Sequence, residues 1–146
     1  MTNEELEKLG RRAVACKAWR WMPGMLARYT EPRESWHRCR EGDGYGLTCR
    51  PPNPRLAYPD LSDPATEGCL RHLALGGQNN RDLVVRVTPG LRMEGVQVSW
   101  LVVDRLGHII SGAGGSFVCP HGEDAGKHAL VAALETANKV MPRQGK

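Results

Sequence analysis

No run of apolar residues in this chain approaches the roughly 20 needed to cross a bilayer as a helix, and the opening stretch TNEELEKLGRR has no hydrophobic signal core. A membrane partner is therefore not expected, and a cytoplasmic location is. Patterned cysteine is also missing: Cys16, Cys39, Cys49, Cys69 and Cys119 are odd in number and lack the spacing of a disulfide framework. Free thiols are expected. Internal repeats are absent as well, and no acid/base or nucleophile constellation of a standard enzyme stands out.

What is present bounds the architecture. A chain of 146 residues with 40% hydrophobic and 25% charged residues suits one compact domain, residues 1–146, with loose ends at about 1–3 and 142–146. Its 17 Gly and 10 Pro signal much loop. Thr2 and Glu5 form a capping box ahead of Leu6, Leu9, Ala13 and Cys16, which predicts a helix from about Asn3 to Lys17. Trp19 and Trp21 followed by Met22-Pro23-Gly24-Met25 predict a strand, a tight reversal and a return through Leu26 to Tyr29. The charged stretch from Thr30 to Arg40 reads as an exposed loop or arm, and Tyr45, Leu47 and Cys49 read as a short strand. Pro51, Pro52, Pro54 and Pro59 stiffen the connection to a second helix, capped by Asp63, begun by Pro64 and closed at Gly76-Gly77.

From Asp82 onward the period changes to two. Leu83, Val85 and Val87, then Val96, Val98 and Trp100, then a return after the turn Asp104 to Gly107, predict a three-stranded meander. Gly112 to Ser116 reads as a flexible bend, Phe117 to Gly122 as a further extended piece, and a last helix begins near Asp124, burying Leu130, Val131, Leu134, Ala137 and Met141. The order α β β α β β β α leaves little room for parallel crossovers. It predicts an α+β fold with three helices and an antiparallel sheet of about four to five strands.

Charge is concentrated. Between Lys17 and Arg55 lie eight basic residues against four acids, an excess equal to the net charge of +4 of the whole chain. Trp36 and the arginines Arg20, Arg28, Arg33, Arg38, Arg40 and Arg50 are the candidate binding residues, since guanidinium groups grip anions and indoles stack on bases or anchor partners. Trp19 and Trp21 are expected to share a face turned toward the core.

Other chemistries fit the spacing less well. His37-x-Cys39, Cys49 and Cys119-Pro-His121 contain metal-ligand types, but a single intervening residue points two ligands to opposite faces of a strand. No metal and no cofactor are predicted. Cys119 with His121 or His128 is the local candidate for a cysteine hydrolase. Gly112 to Gly115 could admit a phosphate, yet another extended piece separates it from the next helix.

The words RRAVACKAWRWMPGM and YPDLSDPATEGC, with the terminal ALVAALE helix, resemble a group of small accessory proteins encoded by tailed phages and prophages. The resemblance covers roughly the first half and the last helix; Leu83 to His121 lies outside it, and Glu67 and the helix end at Gly76 depart from the pattern. It implies a phage context in which such proteins modulate the host; with the lack of a catalytic constellation and the arginine–tryptophan segment, the expectation is a non-enzymatic protein in the cytoplasm of a bacterial host that counteracts host defence. Such a protein would block a host defence protein or sequester a small anionic nucleotide signal, with a homodimer as one arrangement of the site. A nucleic-acid-binding module built on residues 17–55 and a small cysteine hydrolase are the alternatives.

Overall fold

The computed structural model describes residues 1–41, 49–76, 80–89, 95–120 and 122–140. Helix α1 (Asn3–Val14) opens on the expected capping box: Thr2 Oγ1 accepts from the Glu5 amide, and the Glu5 carboxylate accepts from the Thr2 amide. Its stripe buries Leu9 and Ala13. A turn tightened through Cys16, whose amide bonds back to the Ala13 carbonyl at 3.1 Å, ends the helix before Lys17.

The expected reversal at Met22 to Met25 forms, with the Met25 amide donating to the Met22 carbonyl at 3.2 Å. Gly24 adopts φ +95°, which this turn requires after Pro23 and which a side chain would resist. The expected strand through Trp19 and Trp21 does not form. Strand β1 (Leu26–Tyr29) pairs instead with β2 (Ser35–Arg38), inside the charged stretch read above as a loop. The reason is that β2 is an edge strand, where Trp36 and Arg38 stand exposed and every second position is only half-buried, so no apolar alternation marks it. Strand β3 (Tyr58–Pro59), at the end of the proline connection, pairs with the other side of β1.

Helix α2 (Pro64–Ala74) begins as expected, with Asp63 capping the Thr66 amide at 2.9 Å and Pro64 in the first turn. Thr66 is fully buried, and its hydroxyl accepts from the Leu26 amide at 2.8 Å while donating to Asp63 at 2.8 Å. That hydroxyl ties β1 to α2 and leaves no buried polar atom unmatched at the junction.

The second half holds the meander: β4 (Arg81–Pro89), β5 (Val96–Asp104) and β6 (Ile109–Cys119) form an antiparallel sheet in that order. The turn at Asp104 to Gly107 closes as expected, with Asp104 Oδ1 accepting from the amides of Leu106 and His108 at 2.8 and 2.9 Å. Gly112 to Ser116 is not a bend but part of β6. Trp100 lies directly across from Gly115, where an added Cβ would come within 3.1 Å of the indole, so glycine is there to make room for tryptophan.

After a single 3-10 turn, Gly122–Asp124, helix α3 (Ala125–Val140) packs on β4, β5 and β6 and touches α1 and α2. It buries Leu130, Val131 and Leu134 as expected, alongside Ala129 and Ala133; Ala137 is half-buried. Among the described residues the fold is α+β, with three helices and every strand pair antiparallel. Its described strands are divided between two three-stranded sheets, β2-β1-β3 and β4-β5-β6, rather than gathered into one. The expected pairing of Tyr45 and Leu47, the helix closure at Gly77 and the burial of Met141 fall outside the described residues.

Candidate functional site

The six arginines and Trp36 singled out above do not form one patch. The fold sorts them into three places.

The first is a cleft of about 840 Å³ lined by Trp19, Arg20, Trp21, Pro23, Arg50 and Arg55, with Glu41 as its acid. Its walls come from the irregular chain after α1 and from the proline connection ahead of β3. Trp19 and Trp21 meet edge to face, with ring centroids 5.2 Å apart and planes at 85°. Both are half-buried and pack against the core, so the core expectation was partly right, but their remaining surface lines the cleft. Trp19 Nε1 is buried without a hydrogen-bond partner. Arg20, Arg50 and Arg55 are exposed, and among the described residues three guanidinium groups against one carboxylate give the cleft lining a positive excess.

The second is a row across the first sheet, in which Arg28 sits directly between Trp36 on β2 and Tyr58 on β3. The Arg28 guanidinium lies 5.5 Å from the Trp36 ring centroid, and Arg11 of α1 lies 5.2 Å from the Tyr58 centroid. Arg28 is only 8% exposed and is ion-paired to Glu34; that bond chiefly raises its pKa. Its Nε is buried without a partner. Arg28 is thus a strut beneath Trp36. Trp36 itself is 53% exposed, and Arg33 stands exposed in the connection leading to it.

The third place is structural. Arg38 binds both oxygens of Asp63, at 2.7 and 2.8 Å, and its guanidinium also donates to the Gly24 carbonyl at 2.7 Å. It therefore clamps the turn before β1 to the cap of α2. The Arg38 bonds, with help from Thr66, lower the Asp63 carboxyl to about 2. Arg40 is exposed, and its carbonyl accepts the Cys49 thiol.

Of the predicted residues, only Arg20 and Arg50 share the cleft. Arg55 was missed, as were the two tryptophans as lining groups. Arg55 lay within the basic segment, but nothing in a proline connection says that it folds back over the residues after α1.

The alternative chemistries fare as follows. Cys39 follows the end of β2 beside the first sheet whereas Cys119 ends β6 of the second, and among the described residues no group of three His, Cys, Asp or Glu side chains is placed to hold a metal. Cys119 is 2% exposed, His121 lies outside the described residues, and burial followed by the Arg12 charge lowers the pKa of His128. Cys16 and Cys69 have thiols raised chiefly by burial, the opposite of an activated nucleophile. A smaller cleft of about 450 Å³ lies between β6 and α3, crossed by the Arg12–Glu135 ion pair at 2.9 Å.

Fold and site together define an α+β protein with an arginine-lined cleft walled by paired tryptophans. No protein-family model, no curated protein and no solved structure matches the chain.

Proposed function

We propose that this is a non-enzymatic binding protein whose cleft sequesters a small anionic ligand carrying an aromatic base, a nucleotide. The observation that carries the reading is the convergence of Arg20, Arg50 and Arg55 with the Trp19–Trp21 pair around one cavity of about 840 Å³, within the range of small-molecule sites. Guanidinium groups supply charge-assisted bonds to phosphate oxygens, and an indole face supplies a stacking surface that accepts any base. The resemblance of the RWMPGM and YPDLSDPAT words to phage accessory proteins supplies the setting, in which the ligand is a nucleotide signal of host defence.

A second reading has its own observation. Trp36 is half-exposed on an edge strand and braced from below by Arg28, the arrangement of an anchor for a protein partner, here a host defence protein.

Calorimetric titration of the wild type, Arg20→Ala and Arg50→Ala with nucleoside mono- and triphosphates, cyclic dinucleotides and inorganic phosphate tests the first reading. A nucleotide should bind saturably, inorganic phosphate weakly, and each arginine variant should lose about tenfold or more in affinity. No saturable binding across the panel, or binding that ignores both substitutions, would contradict it. Steep weakening of duplex binding between low and physiological salt would instead favour the nucleic-acid alternative.

A further inference from the structure

Strand β4 is a nine-residue edge of the second sheet: it pairs with β5 on one side and with no described residue on the other. The Leu83 amide points at the Asp82 carboxylate, 2.8 Å away, rather than toward β5. By the alternation of an antiparallel ladder, the amides of Leu83, Val85 and Val87 therefore face outward; that of Leu83 is capped by Asp82, and pairing with another strand exchanges this bond for one across the ladder. On the sheet face turned away from α3, β4 presents Asp82, Val84 and Arg86 in line; Asp82 and Arg86 are exposed, and Val84 is 43% exposed. Asp82 holds an open ion pair to Arg71 at 3.0 Å, whereas Arg86 makes no ion pair with another described residue.

The order Asp82-Leu83-Val84-Val85-Arg86 is self-complementary. Two copies laid antiparallel about a two-fold axis through Val84 bring Asp82 of each opposite Arg86 of the other, Val84 opposite Val84, and Leu83 opposite Val85. That register also makes Leu83 and Val85 a hydrogen-bonded pair, as their outward amides require. Moving the axis to Val85 sets Asp82 against Thr88 and Arg86 against Val84, which leaves both charges unmatched. Edge strands commonly carry charge that repels a second copy; here the two charges are placed to attract one. The other edge, β6, is less suited, because its ladder with β5 is irregular between Leu101 and Val103 and it is rich in glycine.

The geometry points to β4 as a self-association edge: a second copy of this chain pairs with it antiparallel about Val84, joining two sheets into one of six strands. A single strand pair buries less than a standard interface, so the dimer is concentration-dependent.

Sedimentation equilibrium across a wide concentration range, on the wild type, Arg86→Asp, Asp82→Arg, the double swap and Val84→Lys, tests it. The wild type should dimerise. Arg86→Asp, Asp82→Arg and Val84→Lys should each associate about tenfold or more weakly, the double swap should recover, and an equimolar mixture of the two single charge variants should form a heterodimer. Because Asp82 also caps Leu83, Val84→Lys and Arg86→Asp keep the test decisive if Asp82→Arg folds poorly. A wild type that stays monomeric at millimolar concentration overturns the proposal, as does a dimer indifferent to Arg86→Asp and Val84→Lys. None of these residues lines the tryptophan cleft, so the outcome is independent of ligand binding.

Discussion

The Arg38–Asp63 clamp makes the sharpest stability prediction, because one carboxylate both caps α2 and holds the turn before β1. The Asp63 carboxyl is lowered from 3.8 to about 2, by Arg38 first and the Thr66 amide and hydroxyl after it. A shift of that size corresponds to an upper bound of about 2 kcal/mol of stability at neutral pH. The Asp63 side chain is 13% exposed but Arg38 is 42% exposed, so solvent screens one side of the pair, and about 1–2 kcal/mol is the working magnitude. Since the folded pKa is depressed, this stability is fully present above the unfolded value and is lost as pH falls through the folded one. Asp63→Asn keeps a capping side chain but loses the ion pair. Urea unfolding of both proteins should show the wild type more stable by about 1–2 kcal/mol at pH 7, with the gap closing between about pH 5 and pH 2. A gap that stays constant through that range would refute the reasoning.

Three other outcomes follow from the packing and the thiols. Gly115→Ala should cost about 1–3 kcal/mol in denaturant unfolding by driving a methyl group against the Trp100 indole, whereas Gly68→Ala, at an exposed position of α2 with nothing within 4 Å, should gain up to about 1 kcal/mol. Trp36→Ala should change the unfolding midpoint by less than the equivalent of about 1 kcal/mol, since the indole is half-exposed; a large loss would show a structural role and weaken the partner reading. With a thiol reagent at pH 7, the native protein should react slowly, because Cys39, Cys49 and Cys119 are buried and burial raises the Cys16 and Cys69 thiols, while urea should release all five. A single fast native thiol mapped to Cys119 would restore the hydrolase alternative.

The legible parts of the sequence were those in which local chemistry alone sets the backbone. The Thr2–Glu5 box, the Pro23-Gly24 turn, the Asp63-Pro64 start and the Asp104 to Gly107 turn each rest on residues within four positions of one another, and each formed as expected. What misled were positions whose conformation depends on distant partners. The glycines of β6 look like a bend until Trp100 is set across from Gly115. β2 looks like a loop because an edge strand lacks a buried face to display. The basic segment was legible as composition, yet sequence proximity could not separate Arg28 and Arg38, which the fold uses as a strut and a clamp, from Arg20, Arg50 and Arg55, which it turns toward one cleft.

The four tryptophans provide the most direct measurement of the central claim, because Trp19 and Trp21 line the cleft, Trp36 stands on the β2 edge and Trp100 lies in the core of the second sheet. In a titration with the tightest-binding nucleotide of the calorimetric panel, followed through the indole N–H resonances, Trp19 and Trp21 should shift together while Trp36 and Trp100 stay fixed. Movement of Trp36 alone, or no movement of any indole at saturating nucleotide, would contradict the assignment of the cleft.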